Sequence, residues 1–135
     1  MTFDPNAAAE HDAGIYGLPY APEEARVVLV PVPWDATTSY RAGASAGPRA
    51  IFDASMQVDL YDAKVGKPYE RGIVMQPEAK ELRAWNDEAR AAAEEVIEAG
   101  GRVAGNAELE AALAKVNAMS ERVNEVVHLQ TKQLL

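Results

Sequence analysis

The stretch that decides the fold reads RVVLVPVPWDATTSYRAGASAGPRAI and spans residues 26–51. Its first part, residues 26–32, is a continuous β-branched run bounded by prolines, which predicts a strand. Continuous apolarity predicts burial on both faces, as in a parallel sheet covered by helices. Pro31 and Pro33 lack backbone donors, so strand pairing is expected to fade there. The stretch therefore predicts an α/β protein with a parallel sheet.

Residues 34–46, called the polar loop below, follow this strand directly. In an open α/β sheet, ligands bind beyond the carboxyl ends of the strands. The polar loop offers a carboxylate at Asp35, three hydroxyls at residues 37–39, and Arg41, whose guanidinium can bind a carboxylate through two hydrogen bonds. The alternative is that these side chains only satisfy the backbone of the loop, as such residues commonly do. The residues alone leave both interpretations open.

The remaining elements follow from periodicity and from helix-boundary signals. Residues 1–25 predict an irregular N-terminal arm, and residues 26–135 predict one incomplete α/β domain. Gly47-Pro48 begins a predicted helix that runs to about Met56 with Ile51 facing inward. Further predictions are a strand at 57–63, a possible short strand at 72–75, a helix at 78–99 ended by Gly100-Gly101, and a helix from 107 to at least 134 with Asn106 as N-cap and Leu134 among its inward positions.

The predicted sheet is too small to form a doubly covered core, because only about two strands are present. The last residues, LQTKQLL, still follow the helical pattern without a glycine or proline stop signal. We therefore expect that the chain is interrupted rather than finished.

Composition narrows the classes of function. A net charge of −8 without any basic cluster argues against nucleic-acid and anionic-membrane partners. The chain has no cysteine, which fits a cytoplasmic protein, and no apolar run approaches the length of about 20 residues that spans a bilayer. Only two histidines are present. His11 lies in an acidic EHD triplet expected to be solvated, so no convincing catalytic constellation emerges.

The segment PVPWDATTSYRAGASAGPRAIFDAS nevertheless resembles the N-terminal segment of the ureohydrolase family, which includes agmatinase and arginase. The agmatinase-like branch is the more similar. The resemblance covers residues 26–62 well and the later helices by layout only. The positions that match the family pattern are Pro33, Asp35, Thr38, Ser39, Arg41, Gly43, Gly47, Pro48 and Ile51.

The chain departs from the family pattern in two ways. Phe52 stands where the family often has arginine. The metal-binding segments of the family, Gly-Gly-Asp-His, Asp-Ala-His-x-Asp and Asp-x-Asp, are absent from the 135 residues. The resemblance therefore implies no catalytic residue and no metal ligand in this chain.

For a complete enzyme, the resemblance implies a three-layer α/β/α fold with a parallel sheet, of which this chain would supply the N-terminal part with two long helices. It implies hydrolysis of a small guanidino substrate to urea and an amine by two divalent ions, usually Mn²⁺, in a homo-oligomer that is a trimer or a hexamer. The polar loop would lie at the substrate entrance. The residues that the resemblance places there are Asp35, Thr38, Ser39, Tyr40, Arg41, Gly43 and Gly47.

Two other interpretations remain open. The 135 residues could be a complete, non-catalytic homologue or a structural subunit that pairs with another chain. They could also be an unrelated small α/β binding module that uses the polar loop. The sequence that follows Leu135 in the gene would separate these interpretations.

Overall fold

A computed structural model describes residues 3–10 and 12–135, so the EHD triplet with His11 lies partly outside the described residues. These described residues form two strands and three α-helices in the order β1-α1-β2-α2-α3. The strands are β1 (Val27–Leu29) and β2 (Ile73–Met75), and the α-helices are α1 (Gly47–Ser55), α2 (Lys80–Glu98) and α3 (Ala107–Leu134). The chain divides into two compact units, Met1–Pro31 with Pro48–Pro77, and Val32–Gly47 with Glu78–Leu135.

The first unit contains the sheet, and its pairing is parallel as predicted. Val27 pairs with Ile73 and Leu29 with Met75. The strand at 72–75 is thus confirmed, and β1 is shorter than the predicted run because it ends two residues before Pro31. The prediction of burial on both faces is wrong for the described residues, since Val27 is 43% exposed. With one neighbouring strand, β1 has too little structure around it to be covered on both faces.

The predicted strand at 57–63 is wrong. This segment folds into turns, because aspartate side chains engage the backbone amides that a strand ladder would use. Asp59 accepts a hydrogen bond from the Tyr61 amide at 3.0 Å, and Asp62 accepts from the amides of Lys64 and Val65. A single antiparallel bridge between Asp62 and Gly66 is the only strand-like pairing here among the described residues.

The N-terminal arm is folded within the first unit. Ile15 and Leu18 are fully buried, and the backbone amide of Tyr16 donates a hydrogen bond to Ser55 Oγ at the end of α1. The helix predicted from Gly47-Pro48 is confirmed. The inward position predicted for Ile51 is wrong, since this side chain is 56% exposed and Ser55 is the buried residue of α1.

The second unit contains the pair of long helices. Ala92 and Ala93 of α2 pack against Ala112 and Val116 of α3, with Val96 and Ile97 at the edge. None of the helices in residues 3–10 and 12–135 is both long and apolar enough to cross a membrane.

The ends of the long helices agree with the sequence signals. The Asn106 side chain accepts hydrogen bonds from the amides of Glu108 and Leu109, which confirms it as the N-cap of α3. The Gly101 amide bonds to the Val96 carbonyl at the end of α2. The inward position predicted for Leu134 is wrong, because this side chain is 40% exposed near the free end of α3.

Candidate functional site

The carboxylate of Asp35 is the centre of the polar loop. It is 4% exposed. One oxygen, Oδ2, accepts hydrogen bonds from the backbone amides of Gly43 at 2.7 Å and Ser45 at 3.1 Å. The start and the end of the loop are thereby joined through one side chain, so the loop is closed on itself.

Asn86, in the middle of α2, is the second partner of Asp35. Its Nδ2 donates to Asp35 Oδ1 at 3.0 Å, and its Oδ1 accepts from the backbone amide of Asp35 at 2.7 Å. Asn86 is 5% exposed. A single amide side chain thus satisfies both the backbone and the carboxylate of Asp35 where water has little access.

Arg90, one turn further along α2, binds the next part of the polar loop. Its Nη1 donates to the Thr38 carbonyl oxygen at 2.5 Å and to Thr38 Oγ1 at 3.1 Å, and its Nε bonds to Glu94. The Thr38 hydroxyl lies within hydrogen-bonding distance of the carbonyl oxygens of Asp35 and Arg41. Arg90 therefore fixes the turn that leads into the tip of the loop.

The hydrogen bond from the Gly43 amide is the main reason why the pKa of Asp35 is lowered from 3.8 to about 2, against the desolvation that raises it. The Ser45 amide and the Asn86 side chain lower the pKa of Asp35 further. Asp35 is consequently ionised at neutral pH and has no proton to donate. These contacts make it an anchor that organises the loop.

The tip of the polar loop, residues 39–42, is exposed. Tyr40 is 95% exposed, and the Arg41 guanidinium lies 6.0 Å from the centre of its ring, which is within cation–π range. Ser39 is also exposed. The tip thus presents an aromatic ring, a hydroxyl and a cation to the surroundings.

Gly43 closes the tip in a conformation that favours glycine. Its φ is +128°, outside the regions that other residues adopt easily. This geometry aims the Gly43 amide at the Asp35 carboxylate. Backbone strain, rather than lack of space, thus favours glycine at this position, because an added Cβ would meet nothing within 4 Å.

The sequence-predicted residues fall into two groups in the structure. Asp35, Thr38 and Gly43 are joined by hydrogen bonds, whereas Ser39, Tyr40 and Arg41 form the exposed tip. Gly47 opens α1. The sequence reasoning missed Asn86 and Arg90. A signal for Asn86 was available, because it lies between Leu82 and Ala89 on the buried stripe of α2, where a polar residue needs a partner.

The packing beneath the loop explains why it rests on α2. Ala36 of the loop is fully buried against Ala89 of α2 and Met119 of α3, and Trp34 packs at the edge of this cluster. Apolar contact and the hydrogen bonds of Asn86 and Arg90 therefore act over the same stretch of helix.

The described residues do not supply a metal centre. No group of three or more His, Asp or Glu side chains in residues 3–10 and 12–135 is arranged to hold a metal ion. The acidic group of the polar loop, the Asp35 carboxylate, has its oxygens committed to amide donors. The residues present therefore do not fit the two-metal site that the family resemblance implies.

Comparison with known proteins identifies the family. Residues 25–131, which make up most of the chain, match the model of the arginase family. The chain belongs to the arginase family. Its parallel strands and three helices are part of the α/β fold of that family.

Individual relatives match over shorter segments. The chain is 51% identical over 43 residues to an N(1)-aminopropylagmatine ureohydrolase of Synechocystis sp., a match that covers 32% of this chain and 14% of the relative. It is 44% identical over 61 residues to a protein of the same name from Thermus thermophilus, covering 44% of this chain and 21% of the relative. A third such protein, from Thermococcus kodakarensis, is 50% identical over 40 residues, with 30% and 14% covered.

The matched segments thus span only about one seventh to one fifth of the length of these arginase-family relatives. No solved structure matches the chain.

Proposed function

We propose that this chain supplies the loop-bearing N-terminal part of a metal-dependent amidinohydrolase that hydrolyses a guanidino compound to urea and an amine. The observation that carries the proposal is the match of residues 25–131 to the arginase family. The relatives named ureohydrolases, at 44–51% identity over short segments, support the same reaction class.

The names of these relatives also favour a substrate class. N(1)-aminopropylagmatine is a cationic guanidino amine that has no carboxylate. The net charge of −8 is compatible with a cationic ligand, because a protein of negative charge attracts cations to its surface. We therefore propose guanidino amines, rather than guanidino acids, as substrates.

The role proposed for the polar loop is that of the substrate entrance. Its tip offers the Tyr40 ring, which can contact an alkylguanidinium through its face, while Arg41 lies beside the same ring. The anchored residues Asp35, Thr38 and Gly43 would set the shape of the entrance. The remaining entrance residues of the proposal are Ser39 and Gly47.

The protein ligands of the catalytic metal ions would have to come from sequence outside these residues. We propose two divalent ions, with Mn²⁺ as the expected metal, held by segments that other arginase-family chains carry. We also propose a cytoplasmic homo-oligomer, a trimer or a hexamer. Sedimentation of the purified protein and fractionation of cells test the last two points.

The reaction is tested with two purified proteins, the 135-residue chain and the product of its complete reading frame, each supplied with Mn²⁺. Urea release is measured with agmatine, N(1)-aminopropylagmatine and arginine. We expect release only from a protein that carries the metal-ligand segments, with higher kcat/KM for the two amines than for arginine. No urea above the blank from any of these substrates would contradict the proposal.

The competing proposal is a non-catalytic homologue or a structural subunit. This proposal is compatible with the same described residues, among which no group of three or more His, Asp or Glu side chains is arranged to hold a metal ion. It predicts that the reading frame ends without metal-ligand segments and that the 135-residue chain is a stably folded species, alone or with a second chain. Sequencing beyond Leu135 and mass spectrometry of the purified complex distinguish the two proposals.

A further inference from the structure

We propose that Asn86 and Arg90 of α2 are positioning residues that hold the polar loop in the one conformation that it presents to a ligand. The proposal rests on the proposed function in taking that ligand to be a guanidino compound. Neither residue lies in the tip, so each acts through the loop residue that it binds.

The spacing of the two residues lets both of them reach the polar loop. Asn86 and Arg90 are four positions apart on α2, so their side chains leave the same face of the helix on successive turns. Asn86 binds Asp35 and Arg90 binds Thr38, at the start of the loop. Two separate attachments to a rigid helix fix the direction of the loop, whereas one attachment would leave it free to rotate.

The two attachments flank the tip of the polar loop on both sides. Thr38 comes directly before residues 39–42, and Gly43 comes directly after them. Arg90 fixes Thr38, while Asn86 fixes the Asp35 carboxylate that binds Gly43. The orientation of Tyr40 and Arg41 is consequently set by side chains of α2 that are themselves far from the tip in sequence.

Both attachments are largely protected from water. Asn86 is 5% exposed, and the Arg90 side chain is 18% exposed with its Nε held by Glu94 at 3.0 Å. Hydrogen bonds to charged groups in such surroundings are stronger than those on an open surface. Most other ion pairs of the described chain lie at the surface, including that of Arg83 with Glu78, where the arginine is 48% exposed.

The test uses amide hydrogen exchange, resolved by residue, on the 135-residue chain at neutral pH. Arg90→Met keeps the apolar stem and removes the donors to Thr38. Arg83→Met is the matched control, because it removes an arginine ion pair from the same helix without touching the loop. We expect Arg90→Met to speed exchange of the Thr38 amide about tenfold or more, with unchanged exchange in the centres of α2 and α3. The control should leave all of these rates unchanged.

Two results would overturn the proposal. One is loop exchange in Arg90→Met equal to that of the wild type. The other is a uniform acceleration across α2 and α3, which would assign Arg90 to general stability. If Arg90→Met does not fold, Arg90→Lys retains one donor, and the same local increase, of smaller size, is expected in it. Lack of any local increase in that variant would likewise overturn the proposal.

A kinetic measurement separates this proposal from the proposed function. In a urea-releasing protein that contains these residues, Arg90→Met should lower kcat/KM for guanidino amines about tenfold while Arg83→Met leaves it unchanged. An unchanged kcat/KM in Arg90→Met would also overturn the positioning role. If the wild type releases no urea, the proposed function fails, and the hydrogen-exchange result still decides whether Arg90 positions the loop.

Discussion

Replacing Asp35 by asparagine should destabilise the chain because it brings hydrogen-bond donors face to face. In the wild type, Asp35 accepts at both oxygens, from Asn86 Nδ2 on one side and from the Gly43 and Ser45 amides on the other. The new NH₂ group of Asp35→Asn must occupy one of these two places. Rotating the Asn86 amide instead breaks its bond with the Asp35 backbone amide, which measures 2.7 Å.

The expected loss of unfolding free energy follows from the burial of the Asp35 side chain. A buried polar group without a partner costs roughly 1–3 kcal/mol, and the hydrogen bonds that remain lose the strengthening from the carboxylate charge. We expect Asp35→Asn to lower the free energy of unfolding by about 2–4 kcal/mol. Asn86→Asp should cost a similar amount, because it places a second carboxylate oxygen 3.0 Å from Asp35 Oδ1 in a buried site.

The double variant that exchanges the two residues should recover most of this loss. With asparagine at position 35, its oxygen accepts from the Gly43 and Ser45 amides and its NH₂ donates to the new carboxylate at position 86. That carboxylate also accepts from the backbone amide of residue 35. A double-mutant cycle should therefore give a favourable coupling of about 2 kcal/mol or more.

The assay is urea unfolding at pH 7, followed by tryptophan fluorescence at low protein concentration. Trp34 borders the buried cluster under the loop, so its emission reports on this region. If the losses of unfolding free energy in the two single variants simply add in the double variant, the reasoning is refuted. Additivity would mean that the side chains at positions 35 and 86 contribute to stability independently. Losses below about 0.5 kcal/mol in both single variants, the size expected at ordinary surface sites, would refute it as well.

Four further results are expected. The folded-state pKa of Asp35 is depressed, so its contribution of about 2 kcal/mol should be full above about pH 4 and lost as pH falls toward 2, whereas in Asp35→Asn an acid titration of stability should lack this step. The 135-residue chain should bind no stoichiometric Mn²⁺; calorimetric saturation at one or two ions per chain would contradict this. It should also self-associate despite its charge of −8, since Val27 in β1 is 43% exposed, and light scattering of a clean monomer at high concentration would count against that. In an active enzyme, Arg41→Lys should lower activity on every substrate and reduce the melting temperature if Arg41 braces the loop; a KM rise confined to carboxylate-bearing substrates would instead assign it to carboxylate binding.

The sequence predicted the elements whose signals are local. The long helices, the Asn106 cap and the strand at 72–75 follow from periodicity and from residues at the element boundaries. The strand predicted at 57–63 failed because alternation at Val58 and Leu60 does not reveal that Asp59 and Asp62 bind nearby amides. Hydrophobic patterning and side-chain capping compete in such a segment, and here capping prevailed.

The site was only half predictable for a related reason. The polar loop is recognisable as a continuous motif, so Asp35, Thr38 and Gly43 could be selected from the sequence. Their partners Asn86 and Arg90 are more than 50 positions away. Each is an ordinary residue for a helix, and a single sequence carries no information on long-range pairing beyond the position of Asn86 on the apolar stripe.

The 51 positions between Asp35 and Asn86 affect the order in which the hydrogen bonds of the loop can form during synthesis of the chain. The bonds from the Gly43 and Ser45 amides to Asp35 bridge eight and ten positions and can form soon after synthesis of the loop, whereas the Asn86 bond must wait for a residue that lies 51 positions beyond Asp35. At roughly 5–20 residues per second, the ribosome needs several seconds to deliver that partner. During this interval the loop can close on itself but has no helix to rest on, so a chaperone or protease would meet Ala36 and Trp34 uncovered. A stalled ribosome that holds α2 back should therefore prolong the time during which this nascent chain is open to cleavage in the loop.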